Sequence, residues 1–376
     1  MPDVSLTPVQ NAINAINDPN RIPEYLERFQ IRDKVHIPAL RLLADSTPLL
    51  FDKAELDREF ACVTDPSQDV QVDLFQDFDP TIFGDLIDSG YECGSTVRQT
   101  IGRQNLISVK LCLDKSDYNR IYKWCEGNGV SGEDILQVMY NYLVTKGFEA
   151  MLQAMETQAL TWLDSIKHVG GGVGTRYTAD VNDYKRIPLA EEDKALLGID
   201  EDGVFSNYFD DNGTPQLIGG SGFRYNWMSN MLHGASNDVN LEKQNEMFTP
   251  YFSRAIGVTD PVNDSWRSFL VARGGVGMTT WVYDYVPGVQ DWLKTSDKMF
   301  EVAQIPNIAK GGDTPPINVG IISNVRDIDN FAVHAHEYAR HDTGLRIMMY
   351  AEPVFVSAYS PVAGESPVIG YIQDKV

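Results

Sequence analysis

The chain is short of cysteine, of positive charge and of long apolar runs, and each shortage excludes something. Cys62, Cys93, Cys112 and Cys125 form no CxxC pair, so neither a zinc ribbon nor a redox dithiol is written in their spacing. Cys112 and Cys125 fall in segments that read as buried, and free thiols are expected. Lys and Arg number 31 against 53 Asp and Glu, and the formal charge of −22 argues against a broad, sequence-independent grip on phosphate backbones. No window approaches ~18 uninterrupted apolar residues, so no membrane span is expected. The N-terminus, MPDVSLTPVQNAINAIND, lacks a cationic region followed by an apolar core, so no secretion signal is expected either, and the chain reads as a soluble protein made in the cytoplasm. No repeat of fixed period and no low-complexity segment is present.

What the chain does have is core-building material. Its hydrophobic content is 43% and its aromatic content 10%, and 376 residues suffice for two lobes, since single cores stop growing near ~250–300 residues. The longest patterned run is Ser131 to Ile166, which predicts one long helix. Ile135, Met139, Leu143, Met151, Met155, Ala159, Trp162 and Ile166 recur at threes and fours, with one wider step across Lys146 and Gly147, as a single buried stripe requires. Ser131 can cap the start, Asp134 stands in a capping-box position, and Glu133 and Asp134 put negative charge where the helix dipole is positive. Lys167, His168 and then the glycines of VGGGVG (Gly170, Gly171, Gly172 and Gly174) mark the end. At ~1.5 Å per residue such a helix is on the order of 50 Å long.

Around it, residues 1–50 are short pieces broken by Pro19, Pro23, Pro38 and Pro48. Thr7 and Pro8 can start a helix carrying Val9, Ala12, Ile13 and Ile16 on one face. Tyr25, Leu26 and Phe29, with Leu40, Leu42 and Leu43, suggest an arm that packs on something else. Residues 51–114 turn toward β structure: Glu59 to Val63, the alternation Val70, Val72, Leu74, and Thr96 to Leu113. In ISVKLCL, Ile107, Val109, Leu111 and Leu113 alternate with polar or small residues, the pattern of a half-buried strand. Between these strands lies an acidic stretch with Phe75, Phe78 and Phe83. A short helix, KSDYNRIYKWCEG, precedes the long one. Residues 176–265 are the least regular, with helical pieces expected near Ala190 to Leu197 and Asn237 to Phe252. Ser268 to Ala272 and Met278 to Val286 read as a hairpin joined by RGGVGM, and TPPINVGIISNV and LRIMMYAEPVFVSAYSPV read as further strands.

No motif carries chemistry. VGGGVGT follows a helix, whereas a phosphate loop puts glycines after a strand and before a helix. HAHEYARH holds His334, His336 and His341 beside Glu337, but a helical zinc-protease site needs histidines four apart, not five. Ser221 in GGSGF lacks the second glycine of a nucleophile elbow. No catalytic residue, metal site or cofactor is assigned.

The order of parts, namely arm, hairpin, ISVKLCL strand, short helix, long helix, glycines, irregular αβ region and closing strands FAVHAHEYARHDTGLRIMMYAEPVFVSAYSP, resembles the major capsid proteins of tailed bacteriophages with the Hong Kong 97-type fold. The resemblance implies an α+β fold with an N-terminal arm at 1–50, an extended β-hairpin (E-loop) at 51–108, a peripheral domain at 109–180 with its spine helix at 133–167, an axial domain at 181–330, and closing strands at 331–376. It implies a non-enzymatic subunit that self-assembles, as hexamers and pentamers, into an icosahedral shell around double-stranded DNA without reading its sequence. Portal, decoration or scaffolding partners and a virion location after assembly in the host cytoplasm go with it. Ile135, Met139, Leu143, Met151, Met155 and Trp162 of the stripe, the four glycines, and Phe75, Phe78 and Phe83 become its assembly and structural residues. Two alternatives stand beside it: an encapsulin-like compartment subunit and a metal-dependent hydrolase using the 334–341 histidines.

Overall fold

In the computed structural model of the chain, the described residues are 8–17, 35–45, 70–75, 96–101, 106–130, 133–168, 182–187, 216–224, 250–253, 256, 266–272, 274–282, 299–308, 314–323, 342–357 and 366–373. They form a mixed fold of helices and two five-stranded sheets, with a separate two-stranded ribbon.

The alternation of ISVKLCL produces β3 (Ile107–Asp114), the edge of the first sheet. It pairs antiparallel with β11 (Asp342–Ser357), Leu111 opposite Ile347 and Val109 opposite Met349. On the far side of β11 come β10 (Asn318–Ser323) and β9 (Met299–Gln304), both antiparallel. The second half of β11, from Glu352, changes partner to β8 (Val276–Trp281). Sixteen residues long, β11 thereby ties two sets of strands into one surface. Its odd positions Leu345, Ile347, Met349 and Ala351 are buried in the main core with Val319 and Ile321 of β10. Tyr350 and Ile322 point the other way and gather Trp281, Val282, Phe300 and Met348.

On that second face the Tyr350 ring lies over Gly320, its cross-strand partner, and stacks on Phe300 with 6.1 Å between centroids. A Cβ on Gly320 would stand 2.7 Å from the ring. Gly320→Val is expected to push the ring off the strand and lower stability by about 1–3 kcal/mol, read as a lower denaturation midpoint at unchanged m-value.

The second sheet runs β4 (Lys185–Ile187), β12 (Val368–Gln373), β7 (Arg267–Val271), β5 (Gln216–Gly219) and β6 (Pro250–Phe252), with β4 parallel to β12 and β6 parallel to β5. This overturns the hairpin expected around RGGVGM. β7 pairs with β12 and β5, while β8 pairs with β11 in the other sheet. The reason is that β7 is a central strand: Ser268, Phe269, Leu270 and Val271 are all buried and both of its edges are taken, so none is left for β8. Gly274, at φ +74°, turns the chain from one sheet to the other. The helical piece expected to run to Phe252 also ends differently, since residues 250–252 are strand β6.

Four helices with described bounds complete the frame. α1 (Pro8–Asn17) starts at proline as expected, whereas Pro38, expected only to break the chain, opens α2 (Pro38–Asp45), since a proline at the first helical position lacks only an N–H that would have no helical partner. α3 (Lys115–Gly127) is capped by Asp114, whose carboxylate accepts the Asp117 N–H at 2.7 Å, and is closed by Asn128 and the left-handed Gly129. α4 (Glu133–Ile166) is the long helix, 34 residues in one piece.

The arm expectation changes for the described N-terminal parts. Ala12, Ile13 and Ile16 of α1, and Ala39, Leu40, Leu42 and Leu43 of α2, belong to this chain's own core, and both helices pack on α4. Tyr25, Leu26, Phe29 and the strand expected at 59–63 lie outside the described residues, as does the helical piece at 190–197.

Candidate functional site

The long helix is buried on nearly all sides through its middle, which a single stripe does not predict. The predicted stripe residues Ile135, Met139, Leu143, Met151, Met155, Ala159 and Trp162 are all buried, and Ile166 is half-buried. The helix packs on β3 and β11 of the first sheet, where Trp162 meets Phe355 of β11 at 5.3 Å between ring centroids, and Gly147, in the gap of the stripe, faces Met349. A Cβ on Gly147 would stand 2.6 Å from Met349 Sδ and Cε. The wider step across Lys146 and Gly147 is thus the groove into which β11 fits.

A second buried stripe was missed: Tyr140, Val144, Phe148, Leu152, Leu160 and Leu163. With Glu156 between Leu152 and Leu160 the row runs at fours and then a three, a pattern legible in the sequence. A helix apolar on two faces is a core helix with partners on both sides. The one charged residue in that row is Glu156.

Glu156 is 2% exposed. Its Oε1 accepts the Ala39 N–H at 3.2 Å and the Ser253 hydroxyl at 2.8 Å, and its Oε2 accepts the Leu40 N–H at 3.0 Å. The carboxyl group therefore caps the first turn of α2 from another element, supplying partners for amides that no helical carbonyl can satisfy. Burial pushes its pKa up to about 7, against the opposing pull of the Leu40, Ser253 and Ala39 hydrogen bonds and of Arg41.

The far end of the helix is pinned to the second sheet. Lys167 Nζ bonds Asp164 Oδ1 at 3.0 Å and the Asp164 carbonyl at 2.9 Å, and the Tyr184 hydroxyl donates to Asp164. Lys167 and Arg267 lie 4.7 and 4.5 Å from the Tyr184 ring centroid, and the ring packs on Phe269 of β7. Burial, then the bond to Asp164 and its charge, push the Tyr184 phenol up, so it stays protonated as the donor. His168 N–H bonds the Val368 carbonyl at 2.8 Å, delivering the chain to β12.

Gly170, Gly171, Gly172 and Gly174 follow this anchor and lie outside the described residues, as do Phe78, Phe83, His334, His336 and His341. Phe75 ends β1 (Val70–Phe75), opposite Thr96 of β2 (Thr96–Ile101). Ser221 opens a four-residue helical turn and is exposed. Cys112 is exposed and Cys125 buried, both as free thiols, and burial raises the Cys125 pKa. Among the described residues, no group of three or more His, Cys, Asp or Glu is placed to hold a metal ion, and no helix is long and apolar enough to cross a membrane.

β1 and β2 pair antiparallel in register from Val70 opposite Ile101 to Phe75 opposite Thr96, and among the described strands they pair with neither five-stranded sheet. A two-stranded ribbon alone in water is marginal at best.

No family model matches the chain, and no curated protein matches it in sequence. Solved structures do. It is similar to one titled Mycobacterium phage Che8, at 9% identity and TM-score 0.42, covering 83% of this chain and 90% of that one. It is similar to the Cyanophage A-1(L) capsid asymmetric unit, at 12% identity and TM-score 0.42, covering 89% and 92%. It is similar also to the asymmetric unit of the bacteriophage PhiM1 mature capsid, at 10% identity and TM-score 0.37, covering 84% of each chain.

Proposed function

We propose that this chain is the major capsid protein of a tailed bacteriophage, a non-enzymatic subunit that assembles with many copies of itself into an icosahedral shell around double-stranded DNA. The observation that carries the reading is the ribbon β1–β2: it stands just ahead of the β3–α3–α4 unit in the chain, pairs only with itself among the described strands, and as a two-stranded ribbon needs a further surface to be stable. A shell supplies such a surface on the neighbouring subunit. A 34-residue helix backed by one sheet and anchored to another suits a long, flat tile.

In this reading residues 51–108 reach the neighbour, 109–180 form the peripheral part around the helix, 181–330 the axial part, and 331–376 close both. Residues 1–50 form the N-terminal arm, with α1 and α2 as its anchored section. Gly170, Gly171, Gly172 and Gly174 form the elbow after the helix, and Phe75, Phe78 and Phe83 belong to the hairpin that docks. The net charge of −22 suits a wall that surrounds DNA without holding it. Hexamers, pentamers, a portal and a scaffolding or decoration partner belong to the same reading, as does assembly in the host cytoplasm.

Negative-stain microscopy of the purified chain, alone or with its scaffold, tests it: shells are expected, and a monodisperse monomer under every assembly condition would overturn it. A second test replaces residues 70–101 by a short Gly-Ser linker. Circular dichroism and the melting temperature are expected to stay close to wild type while shells are lost. A variant that still forms shells would remove the ribbon's role.

A further inference from the structure

We propose that Glu156 is a proton-operated latch: the buried carboxyl group of the long helix closes over the first turn of α2, and its charge state sets how firmly α2 is docked. The geometry is that of a clasp among three separate parts of the chain. One side chain of α4 takes two backbone amides of α2 and the hydroxyl of Ser253, which follows β6. Around it the second stripe is apolar, with Leu152 and Leu160 one turn to either side. A charge there is held by three hydrogen bonds and is otherwise walled off from water.

Among the described residues, few other charges bear on the carboxyl. Arg41 of α2 acts on it and favours its ionised form. On α4 the residues within a turn, Leu152, Gln153, Ala159 and Leu160, carry no charge. α1, β5 and β8 contain no Asp, Glu, His, Lys or Arg, and the only titratable residue of β6 is Tyr251. His36 precedes α2 by two positions and is not among the groups that shift Glu156.

The direction follows from linkage. With α2 docked the carboxyl holds its proton up to about pH 7, whereas a water-exposed glutamate releases it near 4.5. The docked state therefore binds more protons between those values, so docking is firmest in acid and loosens as pH rises toward and past 7. The released fraction should grow on the order of a hundredfold across that window. This inference concerns attachment of α2 within one chain and does not rest on the shell reading.

Hydrogen exchange of the full chain, followed by mass spectrometry and corrected for intrinsic rates, reads the latch. Protection of residues 38–45 is expected to fall from pH 5 to pH 8 while protection of β10 stays level. Glu156→Gln, which keeps the shape and cannot ionise, should make α2 protection flat with pH. Ser253→Ala removes a donor to the carboxylate and should move the midpoint to higher pH, which decides the matter if the glutamine variant does not fold. Protection of α2 independent of pH in the wild type, a pH dependence unchanged in Glu156→Gln, or an unmoved midpoint in Ser253→Ala would each overturn the proposal.

Discussion

Met155→Asp should yield a chain that fails to fold, before any question of assembly arises. Met155 is fully buried in the predicted stripe of the long helix. Removing its side chain alone costs about 2–5 kcal/mol, the range for emptying a core site of this size. The aspartate then either stays ionised without a partner or takes up a proton to become neutral, which adds several kcal/mol near neutral pH. The neighbouring Glu156 already carries one buried carboxyl at this level of the helix. Together these terms reach the whole stability of an ordinary domain, about 5–15 kcal/mol. Insoluble protein, or soluble protein without native circular dichroism, is the expected outcome. A folded, soluble, unassembled variant would instead mean that the stripe faces a neighbouring subunit, against the packing of Trp162 on Phe355 within one chain.

The parts of the fold that were legible in the sequence are those fixed by local chemistry. α4 begins at Glu133 and ends at Ile166 because acidic residues crowd its first turn and glycines follow its last. α1 starts at Pro8 and β3 follows its alternation, whereas Pro38 reads as a break and in fact opens α2. What was lost is what distant pairing decides. β7 and β8 look like a hairpin because they are adjacent, yet both edges of β7 are occupied by β12 and β5, far away in sequence. β4, β5 and β6 are three or four residues long, too short for alternation to declare itself, and two of the pairings among the second sheet are parallel and thus non-local. β9 and β12 offer six residues each and were likewise passed over.

At the candidate site the loss was of another kind. The row Tyr140, Val144, Phe148, Leu152, Glu156, Leu160 has its own four-residue spacing, one position on from the stripe of Met139, Leu143, Met151 and Met155. A charged residue inside an apolar row of a helix that needs two faces covered is a residue with a dedicated partner. Here the partner is the first turn of α2, which a proline-broken sequence does not advertise as core. The histidine and glycine clusters drew attention because they match chemical templates, whereas Glu156 matches none.

Gly147→Val should destabilise the long helix against β11, and its mechanism can be isolated. Glycine inside a helix costs about 1 kcal/mol relative to alanine, so its presence in the middle of α4 calls for a compensating reason. That reason is Met349, whose Sδ and Cε lie 2.6 Å from where a Cβ would stand, with Ile347 Cδ1 at 3.3 Å. Alanine should come out near neutral, since the helix gains what the displaced methionine end loses. Valine adds two branches that must enter the space of both side chains, and overpacking of a filled core costs about 1–3 kcal/mol. Met349→Ala alone opens a cavity and should cost about 2–5 kcal/mol. Combined, valine fills part of the space that the lost methionine leaves, so the double variant should be more stable than the sum of the singles predicts, by on the order of 1–2 kcal/mol. Chemical denaturation of the four chains measures this. Strict additivity would show that the two residues do not compete for one volume, and that the glycine in the stripe answers to something other than the approach of β11.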